Sequence, residues 1–430
     1  MADRRPASAF PAIVPASLVN SIASHTLPLP RSGLVLAGGG ARGAYEAGVL
    51  AHVFEHVLPR LPADRESFDV TSGTSVGAIH AAYSAATPHL PPAERARRLV
   101  DTWREMELGR VLRLDASDLL GMPLRALGLR TMRRGQSVVG GLVDVTPLET
   151  LVERTVPWSA LPDNLRGGGG RALCVSCTEV RSGRVTLFLD GPLADPAPWD
   201  HDPNALTLTT PLTARHVRAS AAIPFLFPAV RIGDRYYVDG GLRMNTPLSP
   251  ALRLRAERVL IVTLKSPAPH DPTAPPYPED VITQPAFLLG KVLDALTMDQ
   301  LEYELNRIEL VNALLERGIE EFGPDFAERI NVAVREQRGV GFRPVRTLTI
   351  RPSEDIGRVA ARCHRRHGGA RALGILGELV ARAALRGVPS DEADLLSYLY
   401  FDHRFTRELV DMGREDARAQ EDALLELLST

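Results

Sequence analysis

Gly73-Thr74-Ser75-Val76-Gly77 is a G-x-S-x-G pattern, and a serine flanked in this way can be an activated nucleophile. That chemistry needs a hydroxyl thrust out of a turn too tight for side chains beside it, which Gly73 and Gly77 permit. The bare pattern also fits any small-residue turn whose serine caps a helix. A second pattern, Gly38-Gly39-Gly40-Ala41-Arg42-Gly43, has three readings. As G-x-G-x-x-G it could bind a dinucleotide, which asks for an acidic residue at the end of the next strand, about 20 residues on. The candidate strand ends in Thr71-Ser72-Gly73, with Asp69 inside it. The loop could instead offer bare amides to an oxyanion, or be a plain turn. Third, Tyr237-Val238-Asp239-Gly240-Gly241 is either an ordinary Asp-Gly turn or a carboxylate placed to accept a serine proton. Eleven histidines are present, and no motif marks one as a base. His80, five residues past Ser75, is expected to point away, and His216 is the first candidate if a triad is sought.

The nucleophile reading depends on context. Gly33 to Ala37 is a short apolar run suited to a buried parallel strand. After the glycines, Leu50, Val53, Phe54, Val57 and Leu58 mark one face of a helix. Phe68 to Thr71 reads as a second strand, turning at Ser72–Gly77 into an alanine-rich helix, 78–86. This β-α-β-α order predicts an α/β fold with a parallel sheet. Residues 92–156 read as helical and irregular, with a helix capped by Thr146 before Pro147. Gly167–Gly170 is a connector, followed by strands at 171–178 and 184–189, a helical stretch ending at Ala222-Ile223-Pro224, and a hairpin over 229–238. Further strands are expected at 258–264 and 346–350. Proline-rich 266–283 breaks the composition. Beyond it, 284–318 is a long amphipathic helical pattern, read as a helix docked on the core or as a lid or interfacial face, and 370–430 is helical.

Bulk properties narrow the function classes. The 430 residues carry a net charge of −2, so no global attraction to nucleic acid exists. Arginine supplies nearly all positive charge, lysine occurring only at Lys265 and Lys291. Three cysteines make no disulfide framework and fit a reducing compartment. Cys174 and Cys177 lie on a strand and face opposite ways, which favours buried thiols over a zinc site completed by Cys363, His364 and His367. No apolar run approaches the roughly 20 residues that span a bilayer, and residues 1–30, broken by Pro6, Pro11 and Pro15, read as an extended arm without a secretory core. A cytoplasmic protein is expected, with membrane contact at most peripheral.

Taken together and in this order, the three motifs resemble the patatin-like phospholipases over residues 31–265. Ala219-Ser220-Ala221-Ala222-Ile223-Pro224 with Phe227-Pro228 also looks like that family. The tail beyond 266 resembles longer bacterial members only loosely. The resemblance implies a three-layer α/β/α fold with a mainly parallel central sheet, a catalytic domain over 31–265 and a mostly helical C-terminal region, 266–430, packed on the core. It implies a dyad without histidine, Ser75 as nucleophile and Asp239 as base. The amides of Gly38, Gly39 and Gly40, with that of Arg42, would hold the oxyanion, and Gly43, Gly73, Gly77, Gly240 and Gly241 complete the motifs. The Arg42 side chain would meet a phosphate or pair with an acidic residue to fix the loop. The substrate implied is a phospholipid or other acyl-ester lipid, with no metal or cofactor. The competing expectations are a noncatalytic lipid-binding or scaffolding protein of the same fold, and a nucleotide binder. The absence of a lysine near Gly43 weighs against a P-loop.

Overall fold

A computed structural model describes residues 30–112 (without 63, 64 and 66), 144–266 (without 168, 169, 201 and 225), 301–367 and 394–429. The expected arm up to residue 29, the first part of the amphipathic pattern (284–300) and residues 370–393 of the tail lie outside these.

The apolar run after Pro30 forms β1 (Arg31–Leu36), whose last four residues are buried. One tight turn over Gly40–Arg42 leads into α1 (Gly43–His52), every residue of which is buried. The helix winds on through Val53–Arg60, and the expected face of Leu50, Val53, Phe54, Val57 and Leu58 is buried throughout. β2 (Val70–Thr74) is wholly buried and turns at Ser75 into α2 (Val76–Ala86). α3 (Pro92–Arg104) follows, with Leu99, Val100 and Trp103 turned inward. α4 (Thr146–Thr155) departs from the expected cap. Val145 is the N-cap, and Asp144 accepts from both the amide and the hydroxyl of Thr146, because an ionised carboxylate two residues back outcompetes a hydroxyl already inside the first turn.

After α5 (Leu161–Arg166), β3 (Ala172–Glu179) and β4 (Val185–Asp190) form an antiparallel pair, and β5 (Ala205–Thr209) lies parallel to β4. α6 (Ala214–Ser220) precedes the expected hairpin, β6 (Val230–Ile232) and β7 (Arg235–Asp239). α7 (Leu248–Arg253) and β8 (Ala256–Val262) complete the region of the motifs. Among the described residues α8 (Leu301–Phe322), α9 (Phe326–Arg338), β9 (Arg346–Ile350), α10 (Ile356–His367), α11 (Asp394–Leu399), α12 (His403–Ala419) and α13 (Glu421–Ser429) follow.

The strands make one sheet, in the order β5-β4-β3-β2-β1-β8-β9, with β7 hydrogen-bonded to β3 and carrying β6 at its side. From β3 to β9 along this order all neighbours are parallel. Apolar clusters cover both faces, which is the expected three-layer α/β/α arrangement with a mostly helical C-terminal region. Cys177 belongs to one cluster and Cys174 to the other, as alternation along a strand requires, and both thiols are buried and free. No described helix is long and apolar enough to cross a membrane.

α8 buries Leu301, Ile308 and Leu315. Leu301 and Ile308 pack with Leu248, Ala251 and Val345 on the face of the sheet opposite α1 and α2. Its described part is therefore a docked helix and not a lid over the nucleophile.

The C-terminal region is built into the core. α12 lies along α1 so closely that both helices use glycine at the crossing. A Cβ on Gly48 would sit 2.1 Å from the Val410 carbonyl oxygen, and one on Gly413 would sit 2.2 Å from that of Tyr45. The Tyr45 hydroxyl donates to Asp416 at 3.0 Å, and Arg414 meets Glu55 at 2.9 Å. Gly48→Val and Gly413→Val are each expected to lower the free energy of unfolding by about 1–3 kcal/mol, since the added methyls have only backbone to displace. Urea denaturation reads this directly, and unchanged midpoints would refute the close crossing.

Candidate active site

The three motifs meet at one end of the strands because register brings them there. β1 and β2 are parallel, so the glycine loop and the Ser75 turn leave the sheet at the same end. In β2–β3, Thr74 pairs with Ser176, and in β3–β7, Cys177 pairs with Asp239. Ser75 and Asp239 therefore flank the same short stretch of β3. Ser75 lies beside the Asp239 carboxyl, close enough for its hydroxyl to favour the charged form, and Asp239 Oδ1 accepts from the Gly241 amide at 2.7 Å.

The glycines are there for room. A Cβ on Gly73 would sit 2.2 Å from the Gly77 carbonyl oxygen, one on Gly77 2.4 Å from that of Leu36, and one on Gly240 2.3 Å from that of Ser176. Ser75 itself has φ 55° and ψ −122°, outside the regions that side chains favour. Such a residue costs of the order of 1–3 kcal/mol and persists only where its surroundings impose it. Here a brace does so. The Ser75 amide donates to Ser220 Oγ at 2.8 Å, and Ser220 Oγ donates to the Ser176 carbonyl at 2.6 Å. Two residues on, the Ala222 carbonyl accepts from the Asp239 amide at 2.9 Å. The block 219–224 thus holds both Ser75 and Asp239. The sequence marks this block only as a family-like string, with no role for Ser220.

The glycine loop divides its amides. Gly38 donates to the Asn245 carbonyl at 3.1 Å, and Arg42 donates to the Gly39 carbonyl at 3.1 Å. Neither is free for an oxyanion, which departs from the expectation for Gly38 and Arg42. The amides of Gly39 and Gly40 donate to no oxygen among the described residues. Those of Val76 and Gly77, at the start of α2, are likewise uncommitted, and the positive end of that helix faces the same place. The Arg42 side chain is buried. Its Nε donates to Ser397 Oγ at 2.7 Å and its guanidinium lies 4.0 Å from the centre of the Tyr398 ring. Among its contacts are a hydroxyl and an aromatic face, which tie the loop to residues 397 and 398.

Burial sets the electrostatics. Loss of solvent pushes the Asp239 carboxyl up from 3.8 to about 6, against the pull of the Gly241 amide and the Ser75 hydroxyl. Both histidine candidates are occupied elsewhere. His80 Nε2 accepts from Trp103 Nε1 at 2.9 Å, so its proton sits on Nδ1 and faces Glu46 Oε2 at 2.7 Å. Burial lowers this imidazole to about 3 and raises the Glu46 carboxyl. The ring borders the cleft at Ser75, but both nitrogens are turned to Trp103 and Glu46. His216 Nδ1 meets the Thr213 hydroxyl at 3.0 Å and closes the cap of α6, and burial lowers it to about 4. Among the described residues no three metal-binding side chains come together.

Ser75 opens into a cleft lined by Val76, Ile79, Leu99, Trp103, Met106, Leu148, Ile223, Phe227, Leu399 and Phe401 among others. Its walls are hydrocarbon and aromatic rings, the chemistry of an acyl chain and not of a nucleotide.

The family model for Patatin-like phospholipase matches residues 34–252, just over half of the chain. The chain belongs to the patatin-like phospholipase family. That family's class of activity is lipid hydrolysis. No curated protein matches the sequence. Among solved structures, VipD from Legionella pneumophila is similar with a TM-score of 0.34 and 12% identity, over 92% of this chain and 67% of that one. Human GIVD cytosolic phospholipase A2, in complex with methyl gamma-linolenyl fluorophosphonate, is similar with a TM-score of 0.39 and 13% identity, over 95% of this chain and 60% of that one. The family match ends before α8, so Ser397, Tyr398, Leu399 and Phe401 lie outside it.

Asp239 yields a stability prediction. Its folded value lies above 3.8, so the stability it confers in acid, where it is neutral in both states, is lost as pH rises from about 4 to about 6. Asp239→Asn carries no such loss. The variant is expected to melt at a higher temperature than the parent at pH 8, with the gap closing toward pH 4. A gap independent of pH would show that the carboxyl is not perturbed by burial.

Proposed function

We propose that this chain hydrolyses acyl esters of lipids, as a phospholipase A or lysophospholipase, through a Ser75–Asp239 dyad and an acyl-enzyme. The observation that carries the reading is the placement of Ser75 beside a buried Asp239 carboxyl by the register of β2, β3 and β7, at the mouth of an apolar cleft and beside uncommitted amides. In this mechanism Ser75 Oγ attacks the ester carbonyl carbon while its proton passes to Asp239. The carbonyl oxygen becomes an oxyanion held by the amides of Gly39 and Gly40. Collapse breaks the bond to the alcohol or lysolipid oxygen, which leaves with the proton from Asp239. Water then attacks the acyl-enzyme, giving its proton to the same carboxylate. A second collapse frees the fatty acid and returns the proton to Ser75.

Asp239 at about 6 is a better base than an ordinary aspartate and is still ionised at neutral pH. A carboxylate so far below a hydroxyl in basicity leaves most of the rate to placement and to the oxyanion donors, which explains the number of contacts spent on holding Ser75 in its unusual backbone conformation.

Ser75→Ala and Asp239→Asn are each expected to abolish hydrolysis of p-nitrophenyl acyl esters with the circular dichroism spectrum intact, and a fluorophosphonate is expected to label Ser75. Full activity in either variant refutes the dyad, and a folded protein that takes no label is a noncatalytic member. With Asp239 as base, kcat/KM should climb through about pH 6 and level off above it, as the carboxyl ionises. A flat profile from pH 4 to 8 would assign the base elsewhere. Ser220→Ala removes the brace and is expected to lower kcat by about 100-fold, the cost of a misplacement near 1 Å.

A further inference from the structure

The cleft at Ser75 is closed on one side by residues about 320 positions further along the chain. Leu399 and Phe401, at the end of α11, line the same space as Ser75, Val76 and Ile79. The segment that carries them is fastened to the glycine loop in three ways. The Tyr398 carbonyl lies so near Gly40 that a Cβ there would be 2.4 Å from its oxygen. Arg42 Nε donates to Ser397, and the Arg42 guanidinium lies on the Tyr398 ring. Gly40 has φ 57°, so both its backbone and this contact require glycine. We propose that Leu399 and Phe401 are the wall that selects acyl-chain length, and that Arg42 fixes this wall to the loop that receives the ester carbonyl. This rests on the hydrolase reading above.

The physical argument is one of fixed distance. An acyl chain has no polar handle, so a site can read it only by how much of it fits out of water. Each methylene taken into an apolar cleft is worth about 0.8 kcal/mol, or about fourfold in kcat/KM. The gain ends where the chain meets something that does not yield. Leu399 and Phe401 can set that point because their backbone is held against Gly40, one of the two residues whose amides would bind the oxyanion. The scissile carbonyl and the wall are thereby referred to one short stretch of chain. Arg42 is buried and engaged by this segment, so its contribution is to the position of the wall and not to a phosphate.

The test is a chain-length series, p-nitrophenyl butanoate to hexadecanoate, with the full chain. For the parent, kcat/KM is expected to rise about fourfold per methylene to an optimum and then fall. Leu399→Ala and Phe401→Ala are expected to move the optimum to longer chains. The ratio of kcat/KM for the ester two methylenes beyond the parent's optimum to that at the optimum should rise about tenfold. Leu399→Trp should move the optimum to shorter chains, and Ser397→Ala, which loosens Arg42, should broaden it. If the alanine variants do not fold, Phe401→Leu and Leu399→Trp still give opposite shifts. The same optimum in every folded variant overturns the wall while the hydrolase reading stands. A parent that cleaves no ester of any length overturns both.

Discussion

Three adjacent strands carry the geometry on which everything else depends. β3 is paired in parallel with β2 and antiparallel with β7, and its residues Ser176 and Cys177 are the points where the two pairings meet. One is opposite the residue before Ser75 and the other is opposite Asp239. A shift of one residue in either pairing would move its partner across the sheet and separate the hydroxyl from the carboxyl. The site therefore inherits its precision from main-chain hydrogen bonds. Gly240, pressed onto the Ser176 carbonyl, shows how tightly the second pairing closes.

Much of this was legible in the chain. The apolar runs, the glycine clusters and the alanine-rich helix after Ser75 marked β1, β2, α1 and α2, because a buried parallel sheet permits few other residues there. Asp239 was legible only in company, since an Asp-Gly pair alone is an ordinary turn. The exact bounds of β9 came from Arg346 to Ile350, a short β-branched run with no competing pattern. β5 carries little signal for its length: Leu206-Thr207-Leu208-Thr209 alternates, but the run is short and no residue of it is fully buried.

Other features were illegible for a physical reason. Whether Gly38 and Arg42 have free amides depends on where Asn245 and the turn itself put their carbonyls, and no residue type reports that. Ser220 looks like one small residue among alanines until register places it between Ser75 and Ser176. The contact of Arg42 with Ser397 joins positions 355 apart, beyond the reach of periodicity or motif. His80 does not point away as its spacing suggests but borders the cleft, and its bond to Trp103 on α3 is legible only in three dimensions.

The fastening of Ser397–Phe401 to the glycine loop has a bearing on biogenesis. A ribosome delivers Gly38 to Gly43 and Ser75 long before residue 401, and folding proceeds largely from the N-terminal side as the chain emerges. The sheet from β1 to β8 can assemble in that interval. The side of α1 that meets α12 stays open until α12 arrives, and the cleft lacks Leu399 and Phe401 until the end of α11 does. Contacts of such sequence separation form late and slowly. The cleft thus stays incomplete until residues near 401 have emerged, and a nascent chain stalled before that point would expose an open apolar trough.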